Sequence, residues 1–354
     1  MRKLATIRRI AEIRPIENAD AIEHVRVDGW WVVGKKGEFQ VDDLAVYIEI
    51  DAWCPHELAP FLSKGKEPRE YNGVKGERLK TVKLRGAISQ GLLLPIPAEF
   101  NDPTQFTEGL DVTEALGVQK YEPPVPAQLA GKIAGTFPSW LRKTDQERIQ
   151  NCFRDVEPLF KDRWAIEEKL DGSSMTVGYR KGNFILDKDG QPIPEEIVVC
   201  SRNLSLKLDD EGNTFVRAAK ESGVLDALKA YGRNLGISGE LCGEGIQGNK
   251  YNIKGHKWFV FDILDVDTGK YLGFTERNIA LFYLSQLGAQ LETVPYIISQ
   301  NLRGETVNSL LEMAEAKSVL NTKSEREGLV FKNQRDPDIS FKAISNRWLL
   351  KTNE

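Results

Sequence analysis

The chain has 354 residues, room for two or three domains, and its 41% hydrophobic and 28% charged residues suit a protein with buried cores; no apolar run is long enough to span a bilayer. Four cysteines without a C-x-x-C pair and three histidines argue against a zinc ribbon, a dithiol centre or a histidine-built relay, so Lys, Arg, Asp and Glu must carry any chemistry. The net charge of −4 does not advertise nucleic-acid binding, but binding follows local charge, and between residues 63 and 86 eight basic side chains meet three acids, Glu67, Glu70 and Glu77. By itself that run fits a solvated loop and strand as well as a phosphate-contacting surface. Residues 1–7 lack the apolar stretch and cleavage site of a signal peptide, so a cytoplasmic protein is expected.

In chain order, residues 1–118 predict a β-rich domain. Short β-branched or aromatic runs at 25–27, 30–33 and 44–50 are punctuated by Gly and Asp. Residues 79–85 alternate apolar and basic, which predicts one strand with Lys83 and Arg85 on a single face, and 91–96 predict a closing strand. Several short strands in about a hundred residues point to a small barrel, with an OB-fold the leading candidate. Residues 119–138, with Pro123, Pro124 and Pro126, predict a stiff linker. From 139 to 354 strands at 164–167 and 258–261 mix with amphipathic helical stretches at 214–231, 276–287 and 307–316, an α+β pattern without regular βαβ repetition.

The sequence Lys169-Leu170-Asp171-Gly172-Ser173-Ser174 sets a lysine where a strand gives way to a turn. A lysine attacks once it has lost its proton, which burial, neighbouring positive charge or a metal promotes. Four residues with one wildcard also fit an ordinary strand-to-turn corner. Further along, Ser201-Arg202-Asn203 places an arginine at a strand end, and Gly239-Glu240-Leu241-Cys242-Gly243 sets an acid between glycines. Phe259-Val260-Phe261-Asp262 is an aromatic strand ending in an acid; Glu327-Gly328-Leu329-Val330-Phe331-Lys332 has an acid and a lysine at its two ends; Phe341-Lys342 follows. Taken singly, each fits a core aromatic, a turn acid or a surface ion pair.

Together and in this order, these segments resemble the signature motifs of the covalent nucleotidyltransferase superfamily: ATP-dependent DNA ligases, RNA ligases and mRNA capping enzymes. The resemblance spans about residues 140–350 and implies an α+β adenylyltransferase (an ATP-grasp-like nucleotidyltransferase domain), here preceded by an all-β OB-fold barrel. It implies that Lys169 takes AMP from ATP as a phosphoramidate, with Lys342 and Asp171 as catalytic partners. Glu167, Arg202, Glu240, Phe261, Lys332 and Lys342 would hold ATP or AMP: Glu167 beside the adenine, Arg202 and Glu240 at the ribose, Phe261 stacked on the base, Lys342 at the α-phosphate. Glu327 would stand beside a Mg²⁺ or Mn²⁺ ion. Such phosphoryl transfer relies on positioning, cations and metal, which this set supplies.

The pattern 169–174 followed by 201–203 is most similar to the nick-sealing RNA ligases that resemble the second ligase of phage T4. The stretches 15–23 and 82–92 resemble the OB domain of a smaller RNA ligase family in which OB precedes the transferase. Little sequence follows Lys342, whereas DNA ligases and capping enzymes carry an OB domain after their last motif. The segment 142–151 resembles a family pre-motif and makes Arg148 a candidate for ATP phosphates or the RNA 5′-phosphate, with a helix-surface charge as the alternative. One departure stands out: many T4-like ligases have K-x-K in the last motif, and Ser340-Phe341-Lys342 lacks one lysine, which Lys332 or Lys351 would have to replace. The expected function is an ATP-dependent RNA ligase joining 3′-OH and 5′-phosphate ends. Its partners are RNA ends or a nicked duplex, contacted by Arg148, Lys83 and Arg85; no membrane and no obligate protein partner is expected. A DNA ligase with rearranged domains, a non-catalytic RNA-binding protein with a degenerate transferase domain and a capping guanylyltransferase are the alternatives.

Overall fold

The computed structural model describes residues 3–96, 106–122, 130–186 and 190–352, with the backbone alone for 183–186. The chain divides into two compact units, Met1–Pro124 together with Asn346–Glu354, and Val125–Ser345.

The first unit is built on a five-stranded antiparallel sheet in the order Leu92–Leu94, Leu44–Ile48, Ala5–Pro15, Ile22–Val27, Trp30–Lys35. The period of two sends Val25, Val27, Trp30 and Val32 inward, all at 0–1% exposure, and leaves His24, Arg26 and Trp31 on the outer face. A second sheet runs Gln119–Lys120, Ala52–Pro55, Val74–Arg78, Arg69–Tyr71. The hairpin Thr81–Leu84 with Ala87–Gln90 lies against the first sheet: the Val33 N–H donates to Ser89 Oγ (2.9 Å) and the Tyr47 hydroxyl to the Gln90 carbonyl (3.1 Å). Ile7, Val46, Ile48, Cys54 and Leu79 fill the interior.

Three expectations for this half change. The single strand expected over 79–85 is split. Leu79 donates its N–H to the Ala52 carbonyl and is buried, and the chain then starts the hairpin at Thr81. Arg85 and Gly86 both have positive φ (47° and 89°), as a two-residue hairpin turn requires. Val82 (41%) and Leu84 (43%) are exposed along with Lys83 and Arg85, so the alternation does not divide a core face from a basic face. The span expected as a linker, 119–138, carries paired strands towards both ends: Gln119–Lys120 on Ala52–Pro55, and Ile133–Thr136 on Leu204–Leu206; residues 123–129, with the prolines, lie outside the described residues. Last, the helix Asn346–Thr352 groups with this unit, not with the transferase half. It buries Trp348 and Leu349, and Asn346 Oδ1 accepts from Gln90 Nε2 (3.2 Å).

The second unit holds two large sheets and a two-stranded ribbon, Asn183–Leu186 with Pro192–Ile193. The larger runs Ile133–Thr136, Leu204–Leu206, Glu196–Cys200, Ser173–Arg180, Leu235–Gly243, His256–Asp265, Lys270–Tyr271, with Glu292–Thr293 beside His256–Asp265. The smaller runs Glu147–Arg148, Ser340–Ile344, Gly328–Asn333, Trp164–Lys169, Tyr296–Gln300. The helices Thr214–Glu221, Val224–Tyr231 and Phe274–Gln286 pack on one face of the large sheet through Phe215, Leu228 and Leu284 against Val177, Ile237 and Val260. Ile149–Val156 and Val307–Ala314 cover one face of the small sheet, where Trp164, Ile166, Phe331 and Phe341 are fully buried. Each such side chain contributes about 1.5–3 kcal/mol by leaving water. The helix expected over 214–231 is two helices. Asn213 caps the first by accepting from the Phe215 and Val216 N–H groups, and Gly223, with φ 69°, reverses the chain before the second.

Candidate active site

The polar faces of the two sheets meet at the end of the 164–169 strand. Because Trp164 and Ile166 point into the small sheet's core, Glu167 and Lys169 point the other way. Register carries that face across the sheet. Glu167 pairs with Val330, Val330 with Lys342, and Lys342 with Arg148; Lys169 pairs with Gly328. Paired residues project on one side, so Arg148, Lys342, Lys332, Glu167 and Lys169 share a face, with Lys342 two strand spacings of about 4.8 Å each from Glu167.

Lys169 Nζ lies 2.8 Å from Glu327 Oε1 and 2.9 Å from Oε2. The Asp171-Gly172 turn then folds over the neighbouring sheet. The Asp171 N–H donates to the Tyr251 hydroxyl (2.7 Å), the Gly172 N–H to Glu240 Oε1 (3.0 Å), and Asp171 Oδ2 takes an ion pair from Lys250. Gly172 is required here by space: a Cβ would stand 2.5 Å from the Leu241 carbonyl oxygen and 2.8 Å from Cys242 Sγ. Gly328 is the same case, with the Ala343 carbonyl oxygen at 2.3 Å from a Cβ.

The electrostatics differ from expectation. Burial alone pushes the Lys169 ammonium down, but the carboxylates of Glu327, Glu240 and Asp171 outweigh it and hold its pKa above the usual lysine value. Glu240 shows the converse: burial, with Glu327 and Asp171 beside it, raises its pKa to about 8, despite Lys169 and the Gly172 N–H. Lys169 is therefore held as an ammonium by three acids, the opposite of the lowered lysine that the motif alone suggested.

Beside it is a small apolar cluster of Leu170, Cys242, Tyr251, Phe259 and Val294, with Phe261, Ile253 and Leu320 at its edge. Phe261, expected to stack on a base, is thus placed at the rim of an apolar patch. Arg202 and Lys342 converge on one carboxylate: Asp145 Oδ2 to Arg202 (3.3 Å) and Asp145 Oδ1 to Lys342 Nζ (3.2 Å).

Glu167 and Lys332 lie together in an ion cluster with Arg277 and Asp262. Glu167, 1% exposed, pairs with Arg277 and with Lys332 Nζ (2.9 Å), and Lys332 Nζ is 2.7 Å from Asp262 Oδ1. Both cations also donate to the Phe261 carbonyl. Burial would raise the Glu167 pKa, but Lys332 and Arg277 bring it below the ordinary carboxylate value. Two acids and two bases thus form a closed buried cluster that ties the small sheet to the 256–265 strand and the Phe274–Gln286 helix. Lys351, the other candidate for the missing lysine, lies on the terminal helix of the first unit. Arg277, Asp262, Lys250, Tyr251 and Asp145 were not singled out from sequence; Asp262 directly follows the aromatic that was.

No three His, Cys, Asp or Glu side chains among the described residues form a cage for a metal ion. The donors present are nevertheless hard oxygens: Glu327, Glu240 and Asp171 around one amine. That set fits an ion which keeps most of its water and borrows substrate phosphates, as Mg²⁺ does, not an all-protein site.

Both parts of the chain are similar to known proteins. An OB-fold domain model matches residues 4–96, and an RNA ligase model matches residues 162–344. No curated protein matches the chain. Among solved structures, a variant of the Naegleria gruberi RNA ligase with ATP and Mn is 42% identical, with 100% of both chains covered and a TM-score of 0.90. The same ligase with PPi is 42% identical over 99% of this chain and 98% of that one, at a TM-score of 0.89. A variant with AMP and Mn is 42% identical over 98% of each, also at 0.89.

Proposed function

The chain belongs to the RNA ligase family, and from that premise we propose how its residues carry out ATP-dependent joining of RNA ends. The protein is an ATP-dependent RNA ligase that uses a divalent metal, an OB-fold domain followed by a nucleotidyltransferase domain. In the proposed mechanism the neutral Lys169 amine attacks the α-phosphorus of ATP and releases a proton to solvent as the P–N bond forms; the bond to the β-phosphate breaks and pyrophosphate leaves with the electron pair. An RNA 5′-phosphate oxygen then attacks the AMP phosphorus, and the P–N bond breaks as lysine recovers its proton. An RNA 3′-hydroxyl finally attacks the 5′-phosphorus, loses its proton and expels AMP.

The observation that carries this reading is Lys169 held between the two Glu327 oxygens, on the sheet face shared with Lys342 and Arg148. Glu327, Glu240 and Asp171 would hold a hydrated Mg²⁺ or Mn²⁺, which supplies positive charge to release the Lys169 proton and offset the phosphates. Lys342 and Arg202 would exchange Asp145 for phosphate and ribose, Arg148 would meet the terminal phosphates or the RNA 5′-phosphate, and Phe261 would stack on adenine. For Glu167 and Lys332 we propose a supporting role, fixing the Phe261 backbone, in place of direct contact with ATP. Lys83 and Arg85, exposed on their hairpin, would contact RNA phosphates.

The test is incubation with α-labelled ATP and divalent metal, followed by denaturation. Label is expected on the wild-type polypeptide and absent from Lys169→Ala; undiminished label in the variant would sink the assignment. Nicks with RNA or DNA on the 3′-hydroxyl side, compared as substrates, separate RNA joining from the DNA ligase alternative. Whether the natural substrate is a single strand or a nicked duplex belongs to the same comparison. Among the described residues no helix is long and apolar enough to cross a membrane; a cytoplasmic site of action remains our proposal, in keeping with four cysteines that form no disulfide.

A further inference from the structure

We propose that the outer face of the Ala5–Pro15, Ile22–Val27 and Trp30–Lys35 strands is a stacking platform for single-stranded RNA, centred on Trp31 and Arg14. The proposal rests on the reading of the chain as an RNA ligase and adds a place where that ligase grips its substrate away from the lysine.

Register builds the platform. Arg14 pairs with His24, while Glu12 pairs with Arg26 and Arg26 with Trp31, so these side chains share one face. The adjacent Trp30 is fully buried in the barrel, whereas Trp31 turns outward and stays partly exposed. Its indole has a tilted His24 ring 4.5 Å away, the Arg14 guanidinium 4.6 Å over the ring centroid and the Arg26 guanidinium 5.9 Å from it. Arg14 is the outermost of these, with 59% of its side chain exposed. One acid, Glu12, pairs with both arginines, so the three groups keep a net positive charge.

The Thr81–Leu84 and Ala87–Gln90 hairpin borders this face. His24 Nε2 lies 2.8 Å from the Ile88 carbonyl, and Ile88 pairs with Lys83, whose side chain is exposed, as is that of Arg85. A rigid indole, a planar guanidinium offered to solvent and two further cations alongside suit a chain of flat bases joined by phosphates. A duplex hides its base faces, so the stacking surface favours an unpaired strand. An acidic protein surface is the alternative occupant, and it is the outcome to exclude.

The experiment measures anisotropy of a labelled, 5′-phosphorylated single-stranded RNA oligonucleotide on the full chain, across a salt series. Trp31→Ala should weaken binding about tenfold with the salt slope unchanged, and Trp31→Phe should retain most of the affinity. Arg14→Ala should weaken binding and lower the slope of log K against log salt by about one. Lysyl-AMP formation from ATP, which needs no RNA, reports separately on the transferase chemistry: its absence in the wild type would overturn the ligase mechanism, not the platform. If Trp31→Ala lowers the melting midpoint, Trp31→Phe and Arg14→Ala decide. Unchanged RNA affinity in Trp31→Ala or Arg14→Ala overturns the platform, and an equal loss on fully paired duplex overturns the preference for a single strand.

Discussion

Lys169 in the structure carries the charge that a nucleophile must shed. Glu327, Glu240 and Asp171 hold its pKa above 10.5, so the reactive neutral amine is scarce at neutral pH. Lysyl-AMP formation at limiting metal should therefore rise with pH, by about tenfold per unit where the ammonium dominates. Removing one of the acids should move the profile down: Glu327→Gln is expected to shift its rise to lower pH. Single-turnover labelling from pH 6 to 9 measures the rise in both proteins, and a flat wild-type profile would contradict the assignment. Glu167 makes a prediction of the other sign. Its folded pKa is depressed below 4.5, so the stability it contributes is full above 4.5 and is lost as pH falls through the folded value. Glu167→Gln should cost about 3–5 kcal/mol at neutral pH, as expected for breaking a buried ion cluster. The gap to wild type in denaturant melts should close in acid. Lys169 was legible because Asp171 and Gly172 follow it directly and its distant partners Glu240 and Glu327 each stand in a short pattern of their own. Arg277 was not: its partner Glu167 is 110 residues away. Lys250 stands 79 residues from Asp171, and Asp145 stands 197 from Lys342. A motif records what is adjacent along the chain; folding adds the counter-ions.

At the scale of elements, the turn after Lys169 is held by contact as well as by hydrogen bonds. Gly172→Ala forces a methyl group against the Leu241 carbonyl, and backbone cannot move aside as a flexible side chain would. The expected result is at least a tenfold loss of lysyl-AMP formation and about 1–3 kcal/mol of stability, read from the same labelling assay and from melts. If Gly172→Ala labels like wild type, the turn does not position Lys169. Strands were read well where one face is buried: 164–167 and 258–261 fall inside Trp164–Lys169 and His256–Asp265. The reading failed at 79–85, where alternation without a core behind it does not make an amphipathic strand. It failed also at 214–231, where Gly223 was overlooked within an otherwise helical pattern. In both places a local turn of two or three residues overrode a periodic signal of seven or more.

At the scale of the molecule, the residues proposed to handle ATP all lie within Val125–Ser345, which has two hydrophobic cores of its own. A fragment of residues 125–345 should form lysyl-AMP yet bind RNA more weakly than the full chain. A fragment that is folded by calorimetry but unlabelled by ATP would show that the first unit is needed for the first step. The return of Asn346–Thr352 to the first unit bears on how the protein is made. That unit is written in two instalments, and more than two hundred residues of the other unit are translated between them. At about 5–20 residues per second, the barrel waits on the order of 10–40 s at the ribosome with the faces meant for Trp348 and Leu349 uncovered. The transferase unit, contiguous in sequence, is complete first, so the part encoded earlier is the part finished last.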